Sequence, residues 1–271
     1  MGAMVQGILE FFLNMIGGTL LPNVLIYALQ NNKIEEVLSG IQGFSESVFL
    51  PIASVLVCIY FTLELMQKVT SDNFNTDQFI KMLLKLAIEI VIINNATQIA
   101  KKIVKFGIAF TGAVGGGSSE MAGITVSEIG FIQGLVLIVV MILPFFISLV
   151  AFIIGYFQVY SYQLEFTVYA AAAPLGLADF LSNGIHSNGM KYMKKLLALA
   201  IQGGIMILIL AAVSILQQEM VGGISFSLSS WDDIANMLKS LFNTFFACIG
   251  IQLAVVGTLG QAKTISQAII G

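Results

Sequence analysis

An all-α, polytopic transmembrane fold is what this sequence predicts, and three observations predict it. Charged residues make up only 10% of the 271 residues and hydrophobic ones 58%, whereas a soluble domain carries roughly 25% charged residues. Mean hydropathy is +0.94. Several apolar runs reach about 18 residues or more, long enough for a helix to cross a hydrocarbon core. A water-soluble fold is excluded, and the bilayer is the expected solvent.

The charges narrow the function classes. All 12 basic residues are Lys and the net charge is −3, with no basic patch dense enough to neutralise a run of phosphates. No stable sequence-specific nucleic-acid binding is expected of this chain alone. Cys58 and Cys248 lie inside apolar runs and read as small hydrophobes rather than a disulfide framework. The first residues lack the positive n-region and cleavage site of a signal peptide, so Met1 to Leu13 are expected to stay in the mature protein.

Residues 1–44 read as an N-terminal amphipathic, interfacial segment, and 45–271 as a polytopic membrane domain. From Ala3 to Ile16, Gln6, Glu10 and Asn14 recur every fourth position among apolar residues, one stripe of a helix. Gly17 and Gly18 break it, and Pro22 opens a second apolar turn; a re-entrant hairpin fits the same pattern. Val48 to Leu65 is the first span. Thr76 or Asp77 is suited to cap the helix that follows. Between Gln78 and Lys105 the polar residues, Lys85 and Glu89 among them, fall close to one stripe of an otherwise apolar helix that either spans or lies flat. Gly107 to Gly130 reads as a Gly-rich flexible connector. Phe131 to Ile154, with Pro144 inside it, and Val159 to Leu177 read as two spans joined near Gly155. Leu196 to Leu216 and Leu241 to Leu259 are the last two, and Trp231 suits an interfacial anchor at headgroup level.

Lysine placement orients the chain, because cytoplasmic loops are enriched in it. If the striped helix does not span, there are five spans, the N-terminus is extracytoplasmic and the C-terminus cytoplasmic, with only Lys33 and Lys239 outside. If it spans, there are six, both ends and Lys33 are inside, and Lys68, Lys81 and Lys85 join Lys239 outside. The first arrangement agrees better with the lysine rule, and mid-helix charges cost free energy against lipid unless protein buries them.

No catalytic or metal-binding constellation is legible. His186 is the single histidine, so a histidine-based triad or multi-histidine site cannot form within one chain. Gly115 to Gly117 lacks the following Gly-Lys-Ser/Thr of a phosphate loop. An enzyme is not expected, nor a cofactor. The candidate functional groups are intramembrane polar ones. Glu165 sits deep in an otherwise uncharged span, either lining a passage or bonding a neighbouring helix. Glu64 lies at a span end, Lys85 and Glu89 on the stripe, and Gln202 beside Gly203 and Gly204 in a span built for helix association. Pro174, after four alanines, is the candidate hinge.

Four segments then carry a resemblance: SESVFLPIASVLVCIYFTLELMQ at Ser45 to Gln67, YAAAAPLGLADF at Tyr169 to Phe180, YMKKLLALAIQGGIMILI at Tyr192 to Ile209, and GTLGQAKTISQAIIG at Gly257 to Gly271. Jointly they resemble the TrbL-type polytopic subunits of conjugative type IV secretion systems, particularly those of Gram-positive integrative elements. The resembled family carries an Arg ahead of the span glutamate; in this chain Gln158 stands in that neighbourhood, so the resemblance does not carry an Arg–Glu pair over. The resemblance implies a multi-copy inner-membrane channel or scaffold subunit. Its implied partners are copies of itself, other secretion subunits and ATPases, membrane lipids and a translocating DNA–relaxase substrate. A secondary transporter or small ion channel, and a non-conducting membrane scaffold, are the competing readings. A transporter would call for polar groups converging at the midplane and often for paired repeats, and no internal repeat is visible.

Overall fold

The computed structural model describes residues 2–16, 20–70, 74–116, 127–129, 131–181, 187–221, 227–228 and 231–271. Helices dominate: α1 (Gly2–Ile16), α2 (Leu20–Gln30), α3 (Ile34–Phe44), one π-helical turn (Ser45–Phe49), α4 (Leu50–Val69), α5 (Thr76–Asn94), α6 (Ala96–Gly115), α7 (Phe131–Ala171), the short α8 (Ala173–Gly176), α9 (Asn188–Val221) and α10 (Trp231–Ile270). The all-α polytopic reading holds. One addition was not expected: β1 (Ser127–Ile129) and β2 (Ser227–Leu228) pair in parallel, bringing Ser127 opposite Ser227.

Among the described residues, four helical stretches are long and apolar enough to cross a membrane: Ile34–Val69, Gly134–Ala171, Asn188–Glu219 and Phe246–Ile270. The pair Met4–Ile16 and Leu20–Gln30, bent by 72°, passes the same test jointly: as one broken span it is a fifth crossing, as a re-entrant loop it adds none.

Four expectations are corrected at the level of elements. The two spans expected to join near Gly155 are one helix, α7, of 41 residues. Gly155 is not a turn but a place of close approach, since a Cβ there would lie 2.9 Å from Leu25 Cδ1 of α2. The striped helix is broken at Asn95, which leaves helical geometry and donates its side-chain amide to Val91 O at 2.8 Å. Its N-cap is Asn75 rather than Thr76 or Asp77, with the Asn75 side chain accepting from Gln78 N at 3.0 Å. The connector expected from Gly107 starts later, because α6 continues to Gly115. Gly107 packs against α9, where a Cβ would meet Ala200 Cα at 2.9 Å. Both glycines signalled helix contact rather than chain reversal.

The chain divides into two compact units. Unit 1 comprises Met1–Asn31, Thr111–Tyr160 and Gly204–Ala262. Its core draws on Leu9, Leu13 and Leu25 from α1 and α2, Leu137 and Met141 from α7, Leu210 from α9 and Val255 from α10. Phe12 and Phe145 stack at 4.3 Å. Gln252 donates to Met15 O at 2.9 Å and Ile16 O at 3.0 Å, satisfying carbonyls that the end of α1 leaves orphaned.

Unit 2 comprises Asn32–Phe110, Ser161–Gly203 and Lys263–Gly271. Here α4 and α5 form an antiparallel hairpin whose inner face, Ala53, Val57 and Ile93, packs on Ala178 and Leu175 at the α8 turn. The break before α8 follows from Pro174, which has no N–H to continue α7. The Ala171 carbonyl at the end of α7 is taken up by Ser45 Oγ, buried in the π-helical turn, at 2.6 Å.

Candidate functional site: paired charges in unit 2

The sequence-selected polar residues all have partners or defined surroundings in unit 2. The backbone brings Glu64, near the end of α4, opposite Lys85 on α5, and the ammonium donates to Glu64 Oε2 at 2.5 Å. Their side chains are 29% and 20% exposed, so the pair sits in the seam of the hairpin rather than on its outside. One turn further along α5, Glu89 is buried and its Oε1 accepts the Leu181 N–H at 3.0 Å. That contact ties the hairpin to the segment after α8 and gives the buried carboxylate a specific donor.

Glu165, in the last turns of α7, holds Lys263 of α10 in a two-oxygen pairing, at 2.6 Å to Oε1 and 2.9 Å to Oε2. Lys263 occupies the tail segment that carried part of the family resemblance, but no local pattern linked it to a glutamate 98 residues away. Gln158, ahead of the span glutamate, has its partner in unit 1: its amide donates to Val256 O at 2.9 Å. The cation for the span glutamate comes from the C-terminal tail.

Around the start of α9, Tyr192 donates to Tyr169 O and Lys195 to Tyr169 Oη. The Lys195 ammonium also lies 4.3 Å from the centre of the Tyr169 ring. Lys194 donates to Gly271 O at 2.8 Å, fastening the C-terminus to α9. None of these contacts was legible beforehand, although the segments holding them were.

Gln202 is buried, and its Oε1 has no hydrogen-bond partner among the described residues. Pro174 lies in the first turn of α8, at the break the sequence assigned to it. The side chain of Trp231 and the whole of His186 lie outside the described residues. Among the described residues, no three His, Cys, Asp or Glu side chains come together as a metal site would require. The arrangement supports charge neutralisation and helix locking. Each carboxylate named above is committed to an ammonium or a backbone N–H.

Residues 30–174 match the family model described as TrbL/VirB6 plasmid conjugal transfer like protein. No curated protein and no solved structure matches the chain.

Proposed function

The chain belongs to the TrbL/VirB6 conjugal-transfer family, whose model covers more than half of it, and from that premise we propose that it is a channel or scaffold subunit of a conjugative type IV secretion system. The family match on a polytopic helical chain carries this reading. In it the subunit performs no chemistry. It builds part of the membrane passage for the DNA–relaxase substrate, assembles with copies of itself and with other secretion subunits, and draws energy from partner ATPases. Small-residue contacts such as Gly107 against Ala200 suit helix association in lipid.

The C-terminus is cytoplasmic in this reading and the N-terminus extracytoplasmic. Lys191, Lys194 and Lys195 line a pocket with the C-terminal Gly271, and Lys263 belongs to the same unit; such clustering favours the cytoplasmic face. Glu64, Lys85, Glu89, Glu165 and Gln202 act as positioning residues that hold helices together, with Pro174 setting the turn between α7 and α9.

Deleting the gene in a donor cell tests the role. Conjugation is expected to stop while relaxase nicking of the transfer origin continues, since nicking needs no membrane conduit. Undiminished transfer from a deletion strain without a paralogue would overturn the secretion reading.

A further inference from the structure

Three lysines at the start of α9 carry charge that nothing around them balances. Elsewhere in unit 2, Lys33, Lys85, Lys105 and Lys263 each pair with a glutamate. Lys191, Lys194 and Lys195 stand at i, i+3 and i+4, so their ammoniums share one helix face and repel one another. They also fall in the first two turns, where the helix dipole favours anions and where α9 has no acidic residue. Among the described residues, none of the three pairs with a side-chain carboxylate. Asp179, the acid nearest in sequence, is taken by Asn188, whose N–H and side-chain amide donate to its Oδ2 at 3.4 and 3.2 Å. Lys194 donates to Gly271 O at 2.8 Å and Lys195 to Tyr169 Oη. Even a full negative charge at Gly271 would leave two ammoniums in excess.

The same lysines surround a space. With Gln267 of α10 they line a pocket of about 240 Å³ that has Ala198 and Ile270 as its apolar wall. Lys191 is exposed, while Lys194 and Lys195 are half-buried, and an ammonium drawn partly out of water needs an anion opposite it. Location selects the source of that anion. Lys195 is followed directly by the apolar run Leu196–Leu216, so the pocket lies where a span meets the headgroups. The stacked rings of Tyr169 and Tyr192, 5.7 Å apart, stand beside it, as aromatic side chains do at that depth. A phosphate group fits among the ammoniums, and the apolar wall suits the glycerol ester attached to it.

We propose that the start of α9 and the end of α10 form a binding pocket for the phosphate headgroup of an anionic phospholipid, with Lys191, Lys194 and Lys195 as its cationic ligands and Gln267 as an amide donor. A basic pocket beside a span suits such a headgroup, which a zwitterionic lipid cannot replace because its own cation meets the lysines. The bound lipid offsets the repulsion within the first turns of α9 and fastens the end of α10 there, beside the Lys194 contact with Gly271. Nothing in the pocket depends on a role in transfer.

The test uses the full chain in a neutral detergent, titrated with phosphatidylglycerol or phosphatidylcholine, with bound lipid counted by native mass spectrometry. One phosphatidylglycerol is expected to be retained about ten-fold or more tightly than phosphatidylcholine; equal retention of the two would overturn the site. Lys191 is exposed, so Lys191→Gln leaves folding intact. That variant is expected to weaken phosphatidylglycerol about five-fold, the contribution of one lysine near an anionic surface, and adding Lys195→Gln is expected to remove the preference. Lys81→Gln with Lys102→Gln, at exposed positions on α5 and α6, removes the same charge outside the pocket and is expected to keep it. Equal losses in the two double variants would reduce the effect to net charge and overturn the pocket. Inorganic phosphate and a single-stranded oligonucleotide serve as competitors and are expected to leave the lipid in place. Displacement by either one as readily as by excess phosphatidylglycerol would assign the lysines to a soluble anion or to nucleic acid and overturn the lipid assignment.

Discussion

Among the described residues of unit 1 the buried polar side chains are neutral: Thr111, Ser148, Ser214, Gln217 and Gln252. Unit 2 holds Glu89, the one buried carboxylate among the described residues, and the ion pairs Lys33–Glu36, Lys85–Glu64, Lys105–Glu35 and Lys263–Glu165. Eleven of the twelve lysines fall in unit 2, and only Lys239 in unit 1. An amide or hydroxyl in hydrocarbon needs one or two hydrogen bonds, which a broken helix can provide, as Met15 and Ile16 do for Gln252. A charge in the same solvent needs a counter-charge or a dedicated donor. The two units thus meet the same constraint with different chemistry, and that difference should set the size of a mutant's effect.

The largest effect is expected where an ion pair is sequestered. Glu64→Lys places two ammonium groups in the part-buried α4–α5 seam, at a cost below the roughly 3–5 kcal/mol of breaking a fully buried pair. Protein level in membranes should fall sharply, and the exchange Glu64→Lys with Lys85→Glu should recover most of it. Quantitative immunoblotting of the single and double variants measures both. Equal loss in the two would show that the geometry of the seam, not its charge balance, is what matters.

Next come two glycines that look alike in sequence and differ in what they face. A Cβ at Gly107 in unit 2 would lie 2.9 Å from Ala200 Cα, a backbone atom with nowhere to move. One at Gly155 in unit 1 would lie 2.9 Å from Leu25 Cδ1, the far end of a flexible side chain. Gly107→Ala is expected to cost roughly 1–3 kcal/mol through overpacking, and Gly155→Ala less than about 1 kcal/mol because Leu25 can change rotamer. Thermal unfolding in detergent should rank them in that order, and the reverse ranking would refute the packing argument. Gln252→Leu in unit 1 falls between, since two orphaned carbonyls at the end of α1 lose their donor, at about 1–2 kcal/mol.

Much of this was legible in the sequence, for reasons of scale. Hydropathy and charge depletion are properties of long runs, so the spans in α4, α9 and α10 and the break at Pro174 stood out without any tertiary information. What failed was anything set by a distant neighbour. Gly155 and Gly107 read as turn or connector because sequence cannot say that Leu25 or Ala200 lies against them. Glu165 was legible as an isolated acid, yet its partner Lys263 was not, and neither was Ser45 as the donor that closes the end of α7. The stripe in α5 was visible, but whether its charges were masked depended on α4 lying across it.

The smallest effect is expected at Glu165, although it is the residue the sequence marked most strongly. Its pairing with Lys263 is short and uses both oxygens, but the side chains are 26% and 42% exposed. The lysine can find solvent or headgroups if the charge opposite it is removed. Glu165→Gln also keeps an amide oxygen able to accept from Lys263. The net cost should be that of an exposed ion pair, about 1 kcal/mol or less, with protein level near normal and transfer frequency reduced no more than a few-fold. Transfer from the variant measured beside its membrane abundance separates the two meanings of an intramembrane acid. Normal abundance with transfer retained leaves Glu165 a fastener between α7 and the C-terminal tail. Normal abundance with transfer abolished would assign it a charge- or proton-handling role that the Lys263 contact does not account for.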